Sequence, residues 1–291
     1  MTKIFTIELL IRRIYNLLFL LRGLRDRSEV VEMYRRLLKK PRLLVLLAAL
    51  FIMEGGQSGW AAGLPDTLTR IKPSIMGIGT HLPTRRPPSR FLGTGFVVGD
   101  GTYVVTNAHV VDLKLDGIKS ERLVVFVGSG RNTRMHEAVV ATIDRNYDLA
   151  VLKISRKLPA LTLSSKHSVR EGEVYAFTGF PIGSVLGLYP VTHKGMIASI
   201  TPMAIPSPSS AQLNARKIRR LRDPVTAYQL DAISYPGNSG SPLFDVDSGE
   251  VVGVLNQVFV KTTKEDILSK PSGISYAVPV RYLRPLLDKM P

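Results

Sequence analysis

The chain has 291 residues, enough for one large domain or two small ones with a real hydrophobic core. Hydrophobic residues make up 45% and charged residues 21%, which argues against wholesale disorder and against a polytopic membrane protein. The sequence contains no cysteine, which excludes thiol nucleophiles, Cys-based metal sites and disulfides.

The charge is strongly positive, with 39 Lys and Arg against 23 Asp and Glu and a net charge of +16. An excess of this size points to nucleic acid or an anionic membrane surface as a partner. Residues 1–64 carry a net charge of +6, and five further positive charges cluster at 216–222. This cluster is either a solvated face or a loop that meets anionic envelope lipid or an acidic partner. Nucleic acid is disfavoured, because no aromatic residues interleave with the arginines.

The first 64 residues have the pattern of an export signal. A basic stretch at 33–42 precedes eleven uncharged apolar residues at 43–53, and small residues follow. Eleven helical residues are too short for a bilayer core of about 30 Å, so 43–53 fits the apolar region of a signal peptide. We expect export to a bacterial periplasm or cell envelope, with retention as a membrane anchor or a buried core helix as alternatives. Residues 1–32 are either upstream of the true start or an unusual leader.

The remainder of the chain has the pattern of a β protein. Twelve short Val- and Ile-rich segments between Ser74 and Pro279 are separated by Gly, Pro and Asn, which favours an all-β barrel or sandwich. A polar stretch at 156–172 separates them into two groups, so we predict boundaries at 65–165 and 166–291. Only the tail, 280–290, has apolar residues at helical spacing.

Three separated motifs carry chemistry, and they supply His109, Asp148 and Ser239 in that order. A serine hydroxyl is a poor nucleophile until a base takes its proton, and an imidazole base needs a buried carboxylate to orient it. Asp144 competes for the carboxylate role, but Asp148 is preferred because it directly precedes an apolar strand. A subtilisin-type order could be drawn with His193 as base, but that fold is α/β.

The loop at 237–242, here called the serine loop because it carries Ser239, also supplies a candidate oxyanion hole. Glycines at 237 and 240 let the backbone turn sharply, so the amides around Gly237, Asn238 and Ser239 can point at a developing negative charge. The other histidines lack partners at ligand spacing, so we predict no metal site.

At these motifs the sequence resembles the trypsin-like serine proteases of the bacterial HtrA/Deg type. The resemblance extends to the stretches 93–97, 229–232 and 273–279 and covers residues 70 to 290. It implies two six-stranded antiparallel β-barrels of the chymotrypsin type, with His109 and Asp148 on the first and Ser239 on the second. It also implies protein or peptide substrates, no cofactor and a homo-oligomer.

Two features depart from the family pattern. The family usually carries a PDZ domain after the protease, whereas this chain stops at Pro291 after a short predicted helix. Residue 241 is Ser where the family commonly has Gly, which should leave the nucleophile intact because the amides of the hole lie upstream.

The resemblance also implies which residue sets specificity: in this fold the residue six positions before the nucleophile, here Ile233, lies at the base of the primary pocket. An isoleucine cannot neutralise the charge of a substrate Lys or Arg, and removing water from such a cation beside Ile233 is unfavourable. With Val254, Leu255 and Ile274 it suggests an apolar pocket for a small or medium aliphatic residue, the alternative being that Ile233 is core.

The sequence therefore predicts an exported serine endopeptidase that acts on unfolded or envelope proteins. The competing hypothesis is a regulated or inactive protein of the same fold that binds or senses peptides in the envelope.

Overall fold

The computed structural model describes residues 63–165, 169–183, 187–203, 225–256 and 273–290. The predicted signal segment, 43–53, and the basic cluster, 216–222, lie outside these residues. No helix in the described ranges is long and apolar enough to cross a membrane.

The first six strands form a closed antiparallel barrel in the order β1-β2-β3-β6-β5-β4. Its interior is filled by aliphatic side chains such as Ile78, Val125 and Leu152. The strands are β1 (Ile75–His81), β2 (Ser89–Val98), β3 (Tyr103–Thr106), β4 (Arg122–Val127), β5 (Arg134–Asp144) and β6 (Leu149–Ile154).

The next six strands form a second closed antiparallel barrel in the order β10-β11-β12-β9-β8-β7. The predicted fold of two six-stranded barrels is therefore confirmed. The strands are β7 (Val174–Gly179), β8 (Val191–Met203), β9 (Val225–Leu230), β10 (Pro242–Asp245), β11 (Val251–Asn256) and β12 (Ser275–Pro279).

A third apolar cluster joins the two barrels. It contains Phe96 and Leu149 from the first barrel and Phe244 and Val254 from the second. Strand β11 is buried along its whole length, because Val254 faces this shared cluster while Leu255 faces the interior of the second barrel. Burial on both faces explains why β11 is a continuous apolar run in the sequence.

The described segments before and after the barrels both add side chains to this shared cluster, Ile71 from the first and Leu283 and Leu286 from the second. Helix α1 (Leu64–Ile71) was not predicted, and it lies against the second barrel, where Thr67 Oγ1 donates to Asp247 O at 2.9 Å. At the other end, a 3-10 turn at Val280–Tyr282 leads into α3 (Arg284–Leu287), so the predicted C-terminal helix is present but short.

Candidate active site

His109 lies on a one-turn helix, α2 (Ala108–Val111), directly after the first barrel's third strand. Its Nδ1 is 2.6 Å from Asp148 Oδ2, and its backbone N–H donates to Asp148 Oδ1 at 2.8 Å. The side chains of His109 and Asp148 are 32% and 19% exposed, so the pair is half-buried with the imidazole facing outward. Both oxygens of the Asp148 carboxylate therefore bond to His109, which fixes the orientation of its imidazole ring.

The backbone at Asp148 is in the left-handed region, with a φ of 54°. This conformation is uncommon outside glycine, although Asp tolerates it better than most residues. Two donors hold it there: the Asp148 carbonyl accepts from the Ala108 N–H at 3.1 Å and from Asn107 Nδ2 at 3.0 Å. The strained residue is thus fixed by the same segment that carries His109.

The competing carboxylate, Asp144, has a different local role. Its Oδ1 accepts the backbone N–H groups of Asn146 at 2.8 Å and Tyr147 at 3.3 Å. These bonds close the turn that leads into Asp148, so the structure brings Asp148 and not Asp144 to His109.

A residue that the sequence reasoning missed completes the surroundings of Asp148. Asn256, the last residue of β11, is buried and donates its Nδ2 to Asp148 Oδ2 at 2.7 Å. A side chain of the second barrel thereby holds the carboxylate of the first. The available signal was a lone amide at the end of an otherwise apolar strand.

Ser239 lies in the turn before β10 and is 5% exposed. Its carbonyl accepts the Thr94 N–H at 2.8 Å. A Cβ on Gly93 would lie 3.0 Å from Ser239 O and 3.0 Å from Val110 Cγ2, so Gly93 of β2 packs between the serine loop and the helix that carries His109.

A second contact brings the serine loop to the same place. The Gly240 N–H donates to Leu255 O at 2.9 Å, one residue before the asparagine that binds Asp148. The hydrogen bonds of the described residues include none between Ser239 and His109. Such contacts often tighten only in the substrate complex.

The backbone amides of Gly237 and Ser239 donate to no acceptor among the described residues. The carbonyl of Pro236 accepts the Ile182 N–H at 2.7 Å, and a trans peptide directs the attached Gly237 N–H the opposite way. Gly237 has a φ of 104°, and a Cβ there would lie 2.3 Å from Phe180 O, so only glycine fits. The two amides are available to an external acceptor.

Asn238, predicted in the same set, is used differently. Its N–H donates to Tyr235 O at 3.0 Å inside the turn, and its side chain is fully buried. The backbone N–H of Asn238 therefore has an acceptor, whereas the backbone N–H groups of Gly237 and Ser239 have none among the described residues.

The four predicted specificity residues separate into two pairs. Val254 and Leu255 are fully buried in the two apolar clusters that meet along β11. Ile233 and Ile274 are 37% and 42% exposed, respectively. They flank a hydrogen bond of 2.5 Å from Ser275 Oγ to the carbonyl of the residue before Ile233.

The alternative base, His193, lies on β8, and no hydrogen bond joins it to Asp148 among the described residues. Its ring stacks on Phe177 at 5.0 Å between centroids, and burial lowers its pKa. No group of three or more His, Cys, Asp or Glu residues that could hold a metal ion occurs within the described ranges.

Comparison with known protein families and sequences gives three findings. The model of the trypsin-like peptidase domain family matches residues 93–254. The chain is 30% identical over 203 residues to a protein of Halomonas elongata named "Probable periplasmic serine endoprotease DegP-like", covering 69% of this chain and 35% of the relative. It is 30% identical over 236 residues to Serine protease HTRA3 of Homo sapiens, covering 78% of this chain and 45% of the relative.

A crystal structure of the serine endoprotease from Yersinia pestis has the same fold. It superposes with a TM-score of 0.54 at 24% identity, covering 78% of this chain and 65% of that chain. This chain spans less than half the length of the two curated relatives. Because the family model matches more than half of the sequence and includes all three motif residues, the resemblance is confirmed and the chain belongs to the trypsin-like peptidase family.

Proposed function

We propose that the protein is a serine endopeptidase with Ser239 as nucleophile, His109 as general base and Asp148 as the residue that orients the base. The observation that carries the proposal is the 2.6 Å contact between His109 Nδ1 and Asp148 Oδ2 beside a serine turn. In that turn the amides of Gly237 and Ser239 have no acceptor among the described residues.

The geometry supports a two-step acyl transfer. His109 Nε2 takes the proton of Ser239 Oγ as the oxygen attacks the peptide carbonyl, and the Gly237 and Ser239 amides stabilise the oxyanion. The imidazolium then gives its proton to the leaving amine, which leaves an acyl-enzyme. Water, activated by the same imidazole, hydrolyses the ester and regenerates the serine. Apart from the substrate and water, every group that takes part in this reaction is a side chain or backbone amide of this chain, and no cofactor is proposed.

The orientation of Gly237 favours an active protein over an inactive peptide sensor. An inactive ground state of this fold would turn the Gly237 amide away from the reacting carbonyl. The hydrogen bond from the Ile182 N–H to the Pro236 carbonyl supports the opposite orientation.

The substrates that we propose are unfolded or envelope proteins cleaved after small or medium apolar residues. Support comes from Ile233 and Ile274, the two predicted pocket residues whose side chains are accessible. The basic cluster at 216–222 would meet an anionic surface or an acidic partner, and self-association is part of the proposal. Export is supported by the pattern at 43–53 and by the periplasmic relative.

The test compares the full-length protein with Ser239→Ala on casein. We expect cleavage by wild type and none above background by Ser239→Ala, because the alanine lacks the attacking oxygen. Ser241→Ala is the matched control, since the Ser241 hydroxyl is buried two residues away and has no hydrogen-bond partner among the described residues. Equal cleavage by wild type and Ser239→Ala would refute the assignment.

A further inference from the structure

Thr94 of β2 contacts the serine turn from the first barrel, and none of its polar atoms is left unused. Its Oγ1–H donates to Gly237 O at 2.7 Å, and the same oxygen accepts the Phe180 N–H at 3.1 Å. Its backbone N–H donates to Ser239 O at 2.8 Å, and its carbonyl accepts from Thr106 Oγ1 at 2.7 Å.

Two of these bonds fix the peptide groups on either side of the one that carries the Ser239 N–H. The hydroxyl of Thr94 holds the carbonyl of Gly237, and the backbone of Thr94 holds the carbonyl of Ser239. Since each peptide group is planar, fixing both neighbours restricts the rotation of the group between them. Within the loop, the Ser241 N–H donates to the Asn238 carbonyl of that middle peptide at 3.0 Å. Thr94 adds a restraint from outside the serine loop on the direction of the Ser239 amide.

The hydroxyl also joins this loop to the end of β7. It lies 2.9 Å from the position a Cβ would take on Gly179, and its other bond holds the Phe180 N–H. Thr94 is fully buried, so water cannot replace the hydroxyl. Without it, the Gly237 carbonyl and the Phe180 N–H would lose a shared partner in the interior. The peptide that follows Gly237 would then keep the bond from its N–H to Tyr235 O but lose the bond to its carbonyl, which loosens its orientation.

We propose that Thr94 is a positioning residue for the oxyanion hole, acting through Gly237 and Ser239 without touching the substrate. The inference rests on the proposed function, because it presumes that these amides stabilise an oxyanion. Hole donors act on the charge that develops in the transition state, so losing their alignment lowers kcat and leaves substrate binding nearly unchanged.

The experiment measures kcat and KM of the full-length protein and its variants on one fluorogenic peptide that wild type cleaves. Thr94→Val keeps the shape and removes the hydroxyl, whereas Thr94→Ser keeps the hydroxyl. Thr80→Val is the matched control: Thr80 is a buried threonine on β1 whose hydroxyl accepts from Arg85 Nη2 at 3.0 Å, away from the serine loop. Circular dichroism and thermal melting show whether each variant is folded.

We expect Thr94→Val to lose about 10- to 100-fold in kcat, by analogy with the loss or misplacement of one hole donor, with KM changed less than about threefold. Thr94→Ser should stay within about threefold of wild type, and so should Thr80→Val. If Thr94→Val does not fold, Thr94→Ala removes the same hydroxyl without adding a methyl group and is measured instead.

Three results would overturn the inference in a protein that is otherwise active. They are an unchanged kcat in folded Thr94→Val, a kcat in Thr94→Ser as low as in Thr94→Val, and unfolding of both hydroxyl-free variants while Thr94→Ser folds. The last would assign the hydroxyl to stability alone. If wild type itself fails to cleave, or Ser239→Ala cleaves equally well, the proposed function fails instead, and the two failures are distinguishable.

Discussion

Asn256 provides the sharpest test of how the two barrels cooperate in the site. The substitution Asn256→Leu keeps the approximate volume of a buried side chain and removes the Nδ2 group that donates to Asp148 Oδ2 at 2.7 Å. Asp148 would keep its two contacts with His109, but the oxygen nearest the imidazole would lose the donor that holds it from the second barrel.

The expected magnitude follows from the type of bond. A hydrogen bond to a charged group contributes about 1.5–3 kcal/mol, and about 1.4 kcal/mol corresponds to a tenfold change in rate. Asp148 is largely shielded from solvent, so the loss should be felt when the imidazolium forms. We therefore expect Asn256→Leu to lower kcat/KM by about tenfold to 100-fold.

The assay is steady-state hydrolysis of a peptide that wild type cleaves, with thermal melting to follow the fold. Thr178→Val is the matched control, because Thr178 is a buried second-barrel residue whose hydroxyl, within the described part of the chain, bonds to Thr192 Oγ1 at 2.9 Å. The control should keep kcat/KM within about threefold. A folded Asn256→Leu with wild-type kcat/KM would refute the claim that Asn256 holds the carboxylate.

Three further predictions concern the fold. Gly179→Ala should lower both the melting temperature and peptide cleavage, because a Cβ there would lie 2.1 Å from Ser241 Oγ; wild-type values for both would contradict the packing. Bonds from the Tyr175 hydroxyl and Arg170 lower the pKa of Glu173 from 4.5 to about 2, so Glu173 stabilises the fold above pH 4.5 and less as the pH falls. Glu173→Gln should therefore cost stability in urea unfolding at pH 7, and a cost that persists unchanged at pH 3 would be inconsistent with this reasoning. Burial lowers the pKa of His193 below 6.5, so wild type should lose stability below that pH, whereas His193→Phe should not. The same change in melting temperature for both proteins between pH 7.5 and pH 5.5 would count against this reasoning.

The sequence was sufficient for the fold class and for the His109 and Asp148 pair. Strands of Val and Ile broken by Gly and Pro are local signals. The position directly before an apolar strand favoured Asp148 over Asp144, and Asp148 is the carboxylate that contacts His109 in the structure. The chain order of the motifs then supplied the resemblance that gave the two barrels.

Contacts between distant segments could not be predicted in the same way. Asn256 and Thr94 act across the barrels, and no periodicity in one strand reveals which residue of another strand it will meet. Val254 and Leu255 show a second limit of sequence-based prediction: an apolar residue near a motif can face either the substrate or the core, and the sequence does not say which. Helix α1 was missed because it is short and follows small residues that also fit an export signal.

The most direct test of the central claim is the site of covalent modification by diisopropyl fluorophosphate, which reacts with a serine activated by a neighbouring base. Full-length wild type and Ser239→Ala are treated in parallel, and the adduct is located by peptide mass spectrometry. We expect one adduct, on Ser239, which is lost in Ser239→Ala and in His109→Ala treated in the same way. An adduct on a different serine, or wild-type labelling that persists without His109, would contradict it.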